Sequence, residues 1–157
     1  MTNYISVENQ KLLDERYRMG VFLALIFGAS AIAFIMVARF IAPATSVPGS
    51  EKWVQPIFVA VIVIGLAVVS IRRILMSQAM MLKLATGGAN AIIDRLSKTT
   101  IICLALAELV GILGLVFYLL TGYFDYSWRL GVISLLLILY SFPRRGEWGR
   151  IISRNTQ

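Results

Sequence analysis

The run Thr99–Thr121, TTIICLALAELVGILGLVFYLLT, is apolar from end to end except for one carboxylic acid, Glu108, near its middle. At about 1.5 Å per residue such a helix covers roughly 33 Å, enough to cross a hydrocarbon core of about 30 Å. Glu108 then lies at half depth. An isolated ionised carboxylate there costs about 2.5–3.5 kcal/mol even on a lenient insertion scale. The acid is therefore expected to be neutral and hydrogen-bonded, and to mark a functional or assembly site.

The rest of the chain repeats that solvent preference. Of its 157 residues 59% are hydrophobic, and the mean hydropathy is +0.81. Too little polar surface exists to cover a water-soluble core. Three further spans are read. The first, about 19–41, carries Gly20, Ala24 and Gly28 every fourth residue, a small-residue groove of the kind that lets membrane helices approach closely. The second, about 55–75, is β-branched and would suggest a strand in water; in lipid the backbone must satisfy itself, so a helix is expected. The fourth, about 124–142, is short in apolar residues but flanked by Tyr123, Phe124, Tyr126 and Trp128 on one side and Pro143, Arg144, Arg145 and Trp148 on the other. The expected fold is an all-α integral membrane protein, a four-transmembrane-helix bundle forming a single membrane domain over residues 1–157.

Short interfacial helices complete this reading. Residues 3–18 form either a surface helix, with Asp14 and Arg18 spaced for an ion pair, or a solvated tail. After Arg72 and Arg73 the second helix is expected to continue to Gly87-Gly88, with Met76, Met80 and Met81 on a buried face. ANAIIDRLSK then alternates Ile92, Ile93 and Leu96 with Asp94, Arg95 and Lys98, a pattern predicting a short helix on the membrane surface.

Charge supplies the orientation. With four spans, twelve cations (Lys11, Arg16, Arg18, Arg72, Arg73, Lys83, Arg95, Lys98, Arg144, Arg145, Arg150, Arg154) fall on one side and three (Arg39, Lys52, Arg129) on the other. The positive-inside rule then puts both termini in the cytoplasm, in an inner (cytoplasmic) multi-pass membrane protein. The same clustering at the ends of apolar runs argues against nucleic acid as a partner. The chain has no histidine and one cysteine, Cys103. No metal or cofactor is expected, and no removable signal peptide is read at the N-terminus.

Around Glu108 the third span carries Ala107, Gly111 and Gly114, so the acid borders a small-residue stripe suited to close helix packing. Ser30 and Ser134 lie at similar depth in the first and fourth spans and are the candidate hydrogen-bond partners. The stretch 97–121 resembles the carboxylate helix of the proteolipid c subunits of rotary ATP synthases and V-type ATPases. The shared features are the Thr99-Thr100 pair, then Ala105-Leu106-Ala107-Glu108, then Gly111-Ile112-x-Gly114-Leu115. That resemblance implies that Glu108 carries a transported proton or sodium ion.

Three functions fit these residues to different degrees. The residues favour a non-catalytic polytopic subunit or accessory protein of a larger, energy-transducing or other, membrane complex. Its partners would be the bilayer and either other subunits or further copies of itself. The alternative is a proton- or sodium-translocating, c-subunit-like protein using Glu108. An intramembrane enzyme ranks last: no serine is paired with a base, no second membrane carboxylate offers a dyad, and Cys103 lacks an activating neighbour.

Overall fold

A computed structural model describes residues 7–41, 49–85 and 88–155. Every regular element among them is helical: α1 (Val7–Phe40), a 3-10 turn at Ser50–Trp53, α2 (Val54–Leu75), α3 (Gln78–Ala85), α4 (Gly88–Thr121), α5 (Phe124–Ser141) and α6 (Arg145–Asn155). Of these, α1, α2 and α4 are long and apolar enough to cross a membrane. The number of such candidates rises to four if α5 and α6, which meet at a 42° bend, count as one span.

At the centre stands α4, which touches α1, α2, α3, α5 and α6. It ends where Gly122 turns to φ +75, a backbone conformation that suits glycine, and the Gly122 N–H closes back on the Tyr118 carbonyl at 2.8 Å. The next helix starts two residues later, so α5 runs back antiparallel against α4. Phe58 and Phe117 meet Tyr126 edge-on beside this turn, at ring separations of 5.9 and 5.6 Å. The Tyr118 hydroxyl donates to the Ile41 carbonyl at 2.6 Å, tying the ends of α4 and α1 together.

The outward faces of the long helices are apolar. Phe22, Leu25, Ile26, Ile32 and Met36 on α1, and Val59, Ile62, Val63, Leu66 and Val69 on α2, are all exposed. A belt of that extent is untenable in water and ordinary in lipid.

Three buried clusters run along the long axis. At one end Val61, Val110 and Leu130 join α2, α4 and α5. In the middle Ala24, Ala31, Leu104, Ala107 and Ile138 join α1, α4 and α5. At the other end Leu13, Met81, Ile92, Ile93, Leu96, Trp148 and Ile152 bring together α1, α3, α4 and α6. This last cluster is a small head with its own core, beyond the apolar belt.

The head revises four expectations. Residues 7–18 are not a separate surface helix but the first turns of α1; nothing between Glu8 and Met19 breaks a helix, and Leu13 is buried in the head. Residues 3–6 lie outside those described. ANAIIDRLSK likewise is the start of α4, with Ile92, Ile93 and Leu96 fully buried against protein instead of resting on lipid. Its polar residues are compatible with a continuous helix, as when Thr99 Oγ1 donates back to the Arg95 carbonyl at 2.8 Å. Asp14 pairs with Arg145 at 2.7 Å and not with Arg18, because α6 folds back beside α1. The helix after Arg73 also breaks earlier than expected, at Met76-Ser77, letting α3 turn Met81 into the head.

Candidate functional site

Glu108 lies on the buried face of α4, 9% exposed, in line with Leu104, Ala107 and Gly111. The residues around it are small, so α1 and α5 come close. Ser30 Oγ, on α1, is hydrogen-bonded to Glu108 Oε1 and also lies 2.9 Å from the Phe27 carbonyl. The second carboxyl oxygen, Oε2, is buried with no hydrogen-bond partner among the described residues.

The two protonation forms of the acid use this geometry differently. Ser30 has a single hydroxyl hydrogen and faces two acceptors, the Phe27 carbonyl and the carboxyl group. An ionised Glu108 would compete with the Phe27 carbonyl for that hydrogen. With Glu108 ionised, the Ser30 O–H donates to Oε1; with Glu108 neutral and its proton on Oε1, the acid O–H would donate to Ser30 Oγ and free the Ser30 O–H for the Phe27 carbonyl. The neutral form would thus make a relay from α4 through a side chain of α1 to the α1 backbone.

Ser134, the other candidate partner, does not reach the acid. Its hydroxyl donates to the Ala107 carbonyl at 2.8 Å. The reason is the closeness of α5 to α4: a Cβ added at Gly111 would stand 3.1 Å from Ser134 Oγ. At that range the α4 backbone, one residue before Glu108, is the nearer acceptor. The serine still joins the two helices at the same level.

The packing glycines divide sharply. A Cβ at Gly114 would lie 2.9 Å from the Leu130 Cβ and 3.3 Å from the Ser127 carbonyl oxygen, so α4 and α5 meet there almost backbone to backbone. Ala24 and Ala107 are both buried. At Gly20 the nearest atom to an added Cβ is Pro143 Cγ, at 3.5 Å. Gly28 is a correction: a Cβ there would meet nothing within 4 Å. The contact face of α1 instead runs through Ala24, Ala31 and Ala38, all buried and seven residues apart, two helical turns each. The four-residue spacing of Gly20, Ala24 and Gly28 drifts off that face.

Two contributors escaped the sequence reading. Gly131 receives Ile35 of α1, whose Cγ1 lies 2.5 Å from where a Cβ would be; it occurs in a Leu-Gly-Val context with no second glycine to flag it. Arg72, counted in the sequence only among the twelve cations, joins three elements. Its guanidinium donates to the Tyr140 carbonyl in the last turn of α5, lies over the Tyr140 ring at 5.0 Å, and pairs with Glu147 of α6 at 3.2 Å. A cation at a helix C-terminus and an acid in a helix first turn both match the helix dipoles. This contact sits at the 42° bend.

Comparison of the chain with protein-family models, with characterised proteins and with solved structures gives no match.

Proposed function

We propose that the chain is a non-catalytic, multi-pass membrane subunit or accessory protein, with both termini and the head in the cytoplasm. The observation that carries this reading is the internal engagement of Glu108. The one buried acid among the described residues ties α1 to α4 through Ser30, amid small residues that hold three helices together. A carboxyl group so placed acts as a helix connector. In membrane proteins such hydrogen bonds contribute about 0.6 kcal/mol on average and up to about 1.7. The apolar belts of α1 and α2 serve lipid or neighbouring subunits, and the basic head faces the cytoplasm, a reading supported by the twelve-to-three distribution of cations.

A second reading keeps its place because of the unpartnered Glu108 Oε2. An oxygen with free acceptor capacity at half depth is what a transported proton or sodium ion would use, in keeping with the proteolipid-like stretch 97–121.

Glu108→Gln separates the two. Gln preserves a donor and an acceptor, so the connector reading expects unchanged assembly and unchanged co-purifying proteins in mild detergent. The transport reading expects loss of proton or sodium flux in proteoliposomes. Orientation is tested by cysteine labelling in a Cys103→Ala background: a probe at Lys52 should be reached from outside and one at Asn90 should not.

A further inference from the structure

The contacts that join the head to the bundle also bring basic residues at the ends of α1, α2, α4 and α5 to one level. A Cβ at Gly20 would lie 3.5 Å from Pro143 Cγ and 4.0 Å from Thr100 Cγ2, so these positions of α1, α4 and the end of α5 are level with one another. Arg72 reaches the Tyr140 carbonyl, which brings the end of α2 to the same place. Arg18 precedes Gly20 by two residues, Lys98 precedes Thr100 by two, Arg144 follows Pro143 and Arg73 follows Arg72. All four are exposed, within about one helical turn of a common plane. That plane is the boundary between the apolar belt and the head.

Of this ring the described residues of the protein neutralise Lys98 alone. Asp94 is engaged by Lys98 at 2.7 Å, Asp14 by Arg145 at 2.7 Å, and Glu147 by Arg72 at 3.2 Å. Those are three of the acids at this end, and among the described residues Arg18, Arg73 and Arg144 form no ion pair. The basic end as a whole holds twelve cations against five acids (Glu8, Asp14, Glu15, Asp94, Glu147). The opposite end differs: Arg39 lies over the Phe124 ring at 5.5 Å, and Asp125 accompanies Arg129 on α5.

We propose that Arg18, Arg73 and Arg144, with Lys98, form a binding ring for phospholipids of net negative headgroup in the leaflet at the basic end. Guanidinium groups present forked donors that match phosphate oxygens, and long apolar stems let such groups reach a headgroup from the edge of an apolar belt. Each cation near an anionic surface is worth about fivefold in binding. This surface is independent of what Glu108 does.

The test uses the full chain in mild detergent, titrated with phosphatidylglycerol or phosphatidylcholine and followed by thermal melting and by native mass spectrometry. Phosphatidylglycerol should raise the melting temperature and remain bound; phosphatidylcholine should do neither. The triple variant R18Q/R73Q/R144Q should lose that preference, each substitution weakening binding about fivefold, and R129Q should keep it. Equal stabilisation by the two lipids, or a preference that survives in the triple variant, overturns the ring. Should the triple variant not fold, salt decides on the wild type. Raising NaCl from about 0.05 to about 0.5 M should erase the preference, since screening lengths shorten to a few ångströms; a preference indifferent to salt overturns the proposal.

Discussion

The head and the middle of the bundle are built from different residues although α1 and α4 pass through both. The head core uses bulk: Trp148, Met81, Ile92, Ile93, Leu96 and Ile152 are all essentially buried. The middle uses Ala24, Ala31, Ala107, Gly111 and Gly114, with Ser30, Ser134 and Glu108 between them. Solvent explains the contrast. Apolar area removed from water is worth about 25 cal/mol per Å², so large side chains stabilise a head that meets water. Between helices surrounded by lipid that force would be absent, and close approach with internal hydrogen bonds would take its place.

Trp148→Ala should break the comparison most visibly. Truncating a buried tryptophan costs about 3–5 kcal/mol. Hydrogen exchange should then show α3, α6 and the start of α4 losing protection while Leu104–Thr121 keeps it. Loss of protection throughout would mean that head and bundle are one cooperative unit.

The middle should respond to the opposite change. Gly114→Val places new carbon atoms against Leu130 and the Ser127 carbonyl, where even a Cβ stands at 2.9 and 3.3 Å. Overpacking of this kind costs about 1–3 kcal/mol, read as a lower melting temperature in detergent. Gly28→Ala is the matched control, with open space around the new methyl group, and should leave melting unchanged.

Ser30→Ala sharpens the point about polar contacts in lipid. It removes the link between Glu108 and α1, and should cost about 0.6 kcal/mol and no more than about 1.7 by thermal melting. A larger loss would mean the acid is left in a worse environment than the relay implies.

The smallest effect belongs to the surface of the head. The hydrogen bond from Lys98, with its charge and that of Arg16, holds the Asp94 carboxyl below its ordinary 3.8. Because the folded value is the lower one, this contribution is present above the ordinary value and is lost as pH falls through the folded one. Carboxyl-detected NMR should find the Asp94 midpoint moving up in Lys98→Met, with little change in melting at neutral pH.

Legibility in the sequence follows the same division. The long helices were readable because lipid demands uninterrupted apolar runs, and Glu108 was readable because an acid in such a run is costly. The head was not. Leu13, Ile92 and Trp148 lie 135 residues apart in sequence at the extremes and share a core only because α4 extends below the belt and α6 folds back. α6 went unread as a helix: Trp148, Ile151 and Ile152 have helical spacing, but the run holds only 11 residues with two glycines. At the site, spacing alone placed Gly111 and Gly114 beside Glu108. Whether Gly28 or Ala31 faced inward depended on the rotation of α1, which a period of four residues cannot settle against 3.6.

The claim that Glu108 is a neutral connector meets its most direct test in infrared spectroscopy of the protein in lipid at neutral pH, with Glu108→Gln as the reference. The relay through Ser30 predicts a protonated carboxyl C=O band at pH 7 that is absent from Glu108→Gln and shifts in frequency in Ser30→Ala. A carboxylate signature at pH 7, assigned to Glu108 by its loss in the Gln variant, would contradict the connector and leave the ion-translocating reading in its place.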